Sequence, residues 1–167
     1  VYIDTETGNL ETFAPSESIG SQYKLVKHLS FVDAPGHEAF MTAMISGAAI
    51  MDSAMFLVAV NDSVFPQKQA VEHLYALHNV GVTNVLTLQN KMDLVTEPVA
   101  EAHREKITDF LKDSPFASSP IIPISAQHQY NFQEVIKFIS SATDTRLTDE
   151  NINKPALFTI VRSFDIN

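Results

Sequence analysis

The sequence predicts an α/β fold in which a parallel sheet carries helices on both of its faces. Short apolar runs of strand length alternate along the chain with amphipathic segments of helical length, an order typical of parallel sheets. The run Ala54–Val60 is apolar at every position, which suits a strand covered on both faces. Polar residues follow several of these runs, and ligands of parallel sheets bind where the strands end.

The composition indicates a globular chain that does not bind polyanions through its overall charge. Its 167 residues allow one domain, or one domain plus a fragment, and 45% of them are hydrophobic. The net charge of −9 leaves RNA binding to local patches or to parts of a longer protein. There is no cysteine, no signal-peptide pattern and no membrane-length apolar run, so we predict a cytoplasmic protein without a membrane partner. Because the first residue is Val1, we expect a piece of something longer.

The first third of the chain predicts a loop, a strand, a tight turn and a helix. Residues 1–22 are polar and broken by glycine and proline, so we interpret them as loop, within which Tyr2 and Ile3 could form a short strand. Tyr23–Val32 becomes apolar toward its end and predicts a strand that enters the core. Pro35 and Gly36 then force a turn, and apolar residues from Phe40 to Ala49 recur at helical spacing.

The remainder alternates strands and helices. The predicted elements, in chain order, are a strand at Ala54–Val60, a helix from Pro66 to His78 stopped by Gly81, a strand at Val85–Leu88, a helix at Pro98–Lys112, a strand at Pro120–Ile124 and a helix at Asn131–Ile139. A polar linker at Thr143–Lys154 precedes Ala156–Ile166, which predicts a strand of a second unit. The histidines at 28, 73, 78, 103 and 128 form no metal pattern, and we interpret them as surface or packing residues.

Three of the predicted strands end in a polar residue: Asp33, Asn90 and Ser125. Because parallel strands end at the same edge of a sheet, we expect these three residues to converge there, on loops after neighbouring strands. Each polar strand end alone would also fit an ordinary turn. Their convergence is the strongest indication of a ligand site in the sequence.

The N-K-M-D stretch at Asn90–Asp93 has the form of a guanine-reading motif. The Asp93 carboxylate can accept two parallel hydrogen bonds from the N1 and N2 donors of guanine. Adenine offers no such donor pair and would leave the carboxylate desolvated and unpaired. Since charge-assisted bonds are each worth about 1.5–3 kcal/mol, one aspartate can discriminate strongly between purines. The alternative is a strand end followed by a polar turn.

With D-A-P-G at 33–36 and S-A-Q at 125–127, this stretch resembles the third, fourth and fifth motifs of GTPases. With His37 directly after Gly36, the stretch D-A-P-G-H resembles the corresponding motif of the translational GTPases. The wider sequence, from Tyr23 to the tail I-V-R-S-F-D-I-N, resembles the gamma subunit of the eukaryotic and archaeal initiation factor that brings initiator methionyl-tRNA to the small ribosomal subunit. The resemblance implies an insertion at 1–22, a GTPase domain at 23–142, a linker at 143–154 and the start of a β-barrel domain at 155–167.

The resemblance also implies roles for individual residues at the phosphate end of a GTP site. Asp33 would hold Mg²⁺ through a water molecule. The Gly36 N–H would face the γ-phosphate, and His37 would orient the attacking water. These roles imply hydrolysis of GTP to GDP and phosphate in the intact protein.

At the base end, the resemblance implies that Asn90 and Asp93 read guanine while the Lys91 stem covers the base. The Ala126 N–H would point at the guanine O6, with Ser125 and Gln127 shaping the loop. The implied base-binding residues are those of the two motifs, namely Asn90, Lys91, Met92, Asp93, Ser125, Ala126 and Gln127.

The implied cofactors are GTP or GDP and Mg²⁺. The implied partners are the alpha and beta subunits of the same factor, initiator methionyl-tRNA, the small ribosomal subunit, a guanine-nucleotide exchange factor and a GTPase-activating protein. Two alternatives stay open. One is another translational GTPase, such as the selenocysteine-specific elongation factor, and the other is a non-enzymatic scaffold with the same fold.

The sequence departs from the family pattern in two places. It contains no G-x-x-x-x-G-K-[ST], so we expect the fold to lack its N-terminal P-loop strand and helix, and the chain alone to be inactive. The gamma subunit often carries a cysteine zinc knuckle before the D-x-P-G strand, but residues 1–22 have no cysteine. We therefore expect no zinc.

Overall fold

The computed structural model describes most of the chain between its first residue and the end of its last predicted helix. The described residues are 1–12, 19–20, 22–34, 45, 51–142 and 155. The predicted linker at 143–154 and the predicted strand at 156–166 lie outside them, as does the helix at 40–49 apart from Ile45.

A three-stranded parallel sheet forms the centre of the described structure and confirms the predicted fold class. Its strands are β4 (Ser53–Ala59), β5 (Asn84–Asn90) and β6 (Ile121–Pro123), in the order β4-β5-β6. Ala59 of β4 lies beside Asn90 of β5, and β6 pairs with the second half of β5. The strands therefore end together at one edge of the sheet.

Three helices connect or follow these strands: α1 (Lys68–Val80), α2 (Glu97–Lys112) and α3 (Phe132–Ser141). Helix α1 ends where Gly81 takes a left-handed conformation with φ of 84°. The Gly81 N–H donates to the carbonyl of His78 at 3.0 Å, which satisfies one of the last carbonyls of the helix. The predicted stop at Gly81 is confirmed. No described helix is long and apolar enough to cross a membrane.

The helices cover both faces of the sheet, as predicted. On one face, α1 and α2 pack on the strands through one buried cluster, whose members are Phe56, Val58, Leu74, Leu77, Val82, Val85, Ile107, Leu111 and Phe116. On the other face, Leu86, Leu88 and Ile124 pack against Val135 and Phe138 of α3. The alternating side chains of β5 thus supply both halves of the core, which fixes its register.

The described part of residues 1–25 contains a second sheet. It confirms the short strand predicted at Tyr2 and Ile3, whereas the interpretation as loop was wrong at Leu10–Glu11. The strands β1 (Tyr2–Asp4), β2 (Leu10–Glu11) and β3 (Tyr23–Leu25) pair antiparallel in the order β2-β1-β3. The buried Asp4 organises the first turn, because its Oδ1 accepts the N–H of Glu6 at 2.9 Å. Side-chain bonds of this kind stabilise turns that hydropathy does not reveal.

The predicted strand Tyr23–Val32 was also wrong beyond its first three residues. Residues 26–34 have no regular secondary structure, and Phe31 is 70% exposed. The N–H groups of Val26 and Lys27 donate to the carbonyl of Val1 at 2.9 and 3.2 Å, so they extend the small sheet and not the parallel one. Within the described ranges, Asp33 therefore does not follow a strand of the parallel sheet.

Candidate functional site

The N-K-M-D residues form a tight loop at the carboxyl end of β5. Asn90 is the last residue of the strand, and Lys91 takes a left-handed conformation with φ of 67°. A 3₁₀ turn at Met92–Leu94 follows, closed by the Leu94 N–H donating to the Lys91 carbonyl at 3.0 Å. The Met92 N–H donates to the carbonyl of Ile124 at 3.2 Å. The loop therefore folds across the end of β6.

The side chain of Asn90 joins this loop to the S-A-Q loop that follows β6. Its Oδ1 accepts the backbone N–H of Lys91 at 2.8 Å and that of Ala126 at 3.0 Å. A carbonyl oxygen has two acceptor positions, so this oxygen uses both within the protein. The Ala126 N–H, which the family resemblance directs to a guanine O6, donates to Asn90 in this structure.

Ser125 holds the carboxylate of Asp93. Ser125 is 3% exposed, and its hydroxyl donates to Asp93 Oδ1 at 2.5 Å. This bond is the main reason why the pKa of Asp93 lies below its usual value, although partial burial acts in the opposite direction. His128 contributes to the same lowering, with its Nε2 4.0 Å from Asp93 Oδ2. Asp93 is therefore ionised at neutral pH.

The S-A-Q loop is held by a compact turn. The Tyr130 N–H donates to the Ser125 carbonyl at 3.0 Å, and the His128 N–H donates to the Ser125 hydroxyl oxygen at 3.3 Å. Gln129 and Asn131 take left-handed conformations, and Asn131 Nδ2 donates to the carbonyl of Pro123 at 3.0 Å. The turn leaves Ala126 exposed to solvent while Ser125 is buried beneath it.

The two loops enclose a cavity of about 340 Å³, a size that falls in the range of small-molecule sites. It is lined by residues of both motifs and by one neighbour: Asn90, Lys91, Asp93, Leu94, Ala126 and Gln127. An ionised carboxylate at one wall, an aliphatic stem and a leucine give it the character of a site for a flat, polar ring with donors on one side. Its walls come from residues far apart in sequence.

The structure brings together most of the residues predicted at the base end. Met92 and Ser125 do not line the cavity, but the Met92 N–H fixes the loop and the Ser125 hydroxyl holds Asp93. Leu94 and His128 belong to the site and were not predicted. The sequence signal for Leu94 was an apolar residue directly after the motif.

The residues predicted at the phosphate end are not brought to this cavity by the described structure. Asp33 is exposed within 26–34, and Gly36 and His37 lie outside the described residues. In the part of the chain that the structure describes, no group of three or more histidine, aspartate or glutamate side chains is arranged to hold a metal ion. The roles of Asp33, Gly36 and His37 stay predictions.

Comparison with known proteins gives a family match over most of the chain. The family model for the elongation factor Tu GTP binding domain matches residues 10–145. Eukaryotic translation initiation factor 2 subunit gamma of Schizosaccharomyces pombe is 41% identical over 161 residues. The match covers 96% of this chain and 35% of the relative. Translation initiation factor 2 subunit gamma of Methanothermobacter thermautotrophicus is 44% identical over 152 residues, covering 90% of this chain and 36% of the relative.

Solved structures with a similar fold are also translation factors. Translation elongation factor SelB from Methanococcus maripaludis, solved in complex with the GTP analogue GppNHp, has a TM-score of 0.61 at 26% identity, covering 70% of this chain and 26% of that one. The bacterial selenocysteine-specific elongation factor EF-Sec has a TM-score of 0.59 at 25% identity, covering 67% of this chain and 19% of that one. The chain spans about a third of the length of the two curated gamma-subunit relatives.

Proposed function

This chain belongs to the family of the elongation factor Tu GTP binding domain, and from that membership we propose that it supplies the guanine-reading part of a GTP-binding translation initiation factor subunit. The proposal covers a longer protein, since the chain matches about a third of its gamma-subunit relatives. In its GTP form, this protein binds initiator methionyl-tRNA and delivers it to the small ribosomal subunit. Hydrolysis of GTP then releases the tRNA.

The observation that carries the proposal is the ionised Asp93 carboxylate at the wall of the cavity. Ser125 fixes Oδ1 at 2.5 Å and leaves acceptor positions on both carboxylate oxygens for a ligand. A guanine that enters the cavity would donate N1–H and one N2–H to these oxygens. The Lys91 stem and Leu94 would lie against its faces. Adenine could make neither hydrogen bond, so the site would prefer guanine.

Two translational functions fit this fold, and sequence identity favours one of them. The solved neighbours are selenocysteine-specific elongation factors at 25–26% identity. The initiation-factor gamma subunits are 41–44% identical over at least nine-tenths of the chain. We therefore take the initiation factor as the function. A scaffold without nucleotide binding would have no use for an ionised, pre-positioned aspartate at an open cavity.

The phosphate end of the site completes the proposal. Asp33 would hold Mg²⁺ through water, the Gly36 N–H would face the γ-phosphate and His37 would orient the attacking water. The partners would be the alpha and beta subunits of the factor, initiator methionyl-tRNA, the small ribosomal subunit, an exchange factor and a GTPase-activating protein. All of these belong to the cytoplasm.

A competition titration on the full-length protein tests the function. Fluorescent GDP with Mg²⁺ is bound first, and unlabelled GDP, IDP or ADP is added as competitor. We expect GDP to displace the probe at the lowest concentration, IDP at a higher one because it lacks the 2-amino group, and ADP not at all. Equal displacement by ADP and GDP would refute guanine recognition.

A titration of the 167-residue chain alone with a fluorescent GTP analogue and Mg²⁺ should show weak or no binding. The backbone N–H nest and lysine that hold a triphosphate are not found in this sequence. Losing three charge-assisted contacts at about 1.5–3 kcal/mol each lowers affinity by at least about a thousandfold. Saturable binding of GTP by this chain at low micromolar concentration would contradict this expectation.

A further inference from the structure

A buried polar pair, Gln89 and His103, lies in the core directly behind the guanine-reading loop. Gln89 is the residue before Asn90 in β5 and is 1% exposed, whereas His103 belongs to α2 and is 5% exposed. The same face of β5 carries Val85, which packs in the apolar cluster beneath α1 and α2. Burying an amide and an imidazole among apolar side chains costs free energy unless their polar atoms are hydrogen-bonded.

The hydrogen bonds of Gln89 connect β5 to α2. Its Nε2 donates to the carbonyl of Ala100 at 2.8 Å and lies 3.2 Å from His103 Nδ1. An amide NH₂ can only donate, so Nδ1 must be the acceptor and the imidazole proton is on Nε2. Burial is the main cause that lowers the pKa of His103, which keeps the ring neutral and able to accept this bond.

The hydrogen bonds of the pair do not satisfy every buried polar atom around it. His103 Nε2 and the Thr87 hydroxyl are buried without a hydrogen-bond partner among the described residues. Unsatisfied polar atoms of this kind are costly, and apolar side chains of similar volume are often at least as stable. Packing is present too, since the Phe65 ring meets the His103 ring edge-on with centroids 5.0 Å apart. Stability alone therefore does not account for the amide.

The location of the pair suggests its purpose. The loop that carries Lys91 and Asp93 begins after Asn90, the residue that follows Gln89 at the end of β5, and it enters α2 at Glu97. Ala100 and His103 lie in the first two turns of α2. The Gln89 amide therefore connects the end of β5, before the loop, to the start of α2, after it. On its other side the loop is fixed to β6 through Asn90 and Met92. The amide thus sets the distance between the two ends of the loop.

We propose that Gln89 and His103 are positioning residues that hold Asp93 in the geometry required to recognise the guanine 2-amino group. This inference rests on the proposed function. Two parallel hydrogen bonds to one carboxylate require both donors and both oxygens to be aligned, whereas a single bond tolerates a shift of the loop. Sites are precise when a supporting layer of hydrogen bonds fixes the residues that contact the ligand. Loosening the loop should therefore cost the second bond first.

The test compares IDP and GDP binding to the full-length protein and its variants. IDP lacks the 2-amino group, so the ratio of its Kd to that of GDP reports the second hydrogen bond to Asp93. We expect Gln89→Leu and His103→Phe to lower this ratio by about tenfold, the equivalent of one charge-assisted hydrogen bond, chiefly by weakening GDP. Thr87→Val is the matched control: it removes a buried hydroxyl from the same strand face without touching the loop, and its ratio should equal that of the wild type.

Thermal unfolding is measured on the same samples. A lower melting temperature for Gln89→Leu with an unchanged IDP-to-GDP ratio would show a structural role only and overturn the inference. If Gln89→Leu does not fold, Gln89→Met, unbranched and without a donor, gives the same decision. A wild type that does not prefer GDP to ADP would overturn the proposed function and this inference together, whereas an unchanged ratio in a guanine-specific protein overturns the positioning role alone.

Discussion

The hydroxyl of Ser125 donates a 2.5 Å hydrogen bond to Oδ1 of Asp93, although the two residues are 32 positions apart in the chain. Ser125 is buried two residues after β6, so the bond ties the carboxylate to the segment that leaves the sheet. It also favours the ionised form of Asp93. This serine thus helps to orient the Asp93 carboxylate and keeps its pKa below the ordinary value.

Ser125→Ala should weaken guanine binding and make it more sensitive to acid. Without the hydroxyl, the pKa of Asp93 rises toward its ordinary value of 3.8. The carboxylate must be ionised to accept from guanine, so GDP affinity of the variant should begin to fall at a higher pH than in the wild type. We expect about a tenfold weaker Kd at neutral pH, from loss of one charge-assisted bond. Titrations of fluorescent GDP across the acid range measure this, with exposed Ser118→Ala as control.

Asp93→Asn should exchange the base preference of the site. An amide can accept only through its oxygen, so guanine would lose one hydrogen bond and face an NH₂ group with its own donor. Xanthine has a carbonyl at position 2 and can accept from that NH₂ group. GDP affinity should fall by at least about tenfold, the loss expected for one charge-assisted bond, while XDP should bind better to the variant than to the wild type. Equal GDP affinity of variant and wild type in an equilibrium titration would refute the role of Asp93.

His103 should make stability depend on pH. Burial, and to a smaller extent Lys106, lower its pKa from the ordinary value of 6.5, while Asp62 acts in the opposite direction. Below 6.5 the unfolded chain binds a proton that the folded chain resists, so the free energy of unfolding decreases as pH falls through that window. His103→Phe should show a flatter decrease in urea denaturation between neutral pH and about pH 5. Identical slopes for His103→Phe and the wild type would contradict the assignment.

Ile107→Ala should destabilise the domain strongly. Ile107 is fully buried in α2 and packs in the cluster between the helices and the sheet. Removal of a buried isoleucine side chain leaves a cavity and costs about 2–5 kcal/mol. Val99→Ala on the same helix is the control, because Val99 is 50% exposed and should change the free energy of unfolding by about 0.5 kcal/mol or less. Urea denaturation of the two variants should separate them clearly.

Much of the sheet and the base end of the site could be predicted because their signals are local. The apolar run before Asn90 marks β5, and Gly81 marks the end of α1. Parallel strands end at one edge, so the order of the motifs was enough to bring Asp93 and Ser125 together. That prediction did not require knowledge of how far apart the Asp93 and Ser125 side chains lie.

The rest depends on partners that a single sequence does not reveal. The pairing of Tyr2 with Leu25 joins segments that show no common pattern. Apolar residues near Phe31 resembled a strand, but a strand forms only where a neighbour offers its hydrogen bonds. Gln89 was placed beyond the predicted strand, and His103 was interpreted as a surface or packing residue. Their hydrogen bond depends on how α2 docks on β5.

The distance in sequence between the two loops of the site also determines when the site can exist. As the chain is synthesised, Asn90 and Asp93 emerge well before Ala126 and Ser125, the residues that fix them 36 and 32 positions later. A nascent chain that ends before β6 therefore contains the N-K-M-D residues but does not form the cavity. If the proposed function holds, a nucleotide would bind only where both loops are in place and would stabilise that state by mass action, so it could not rescue a chain in which β6 has not yet paired.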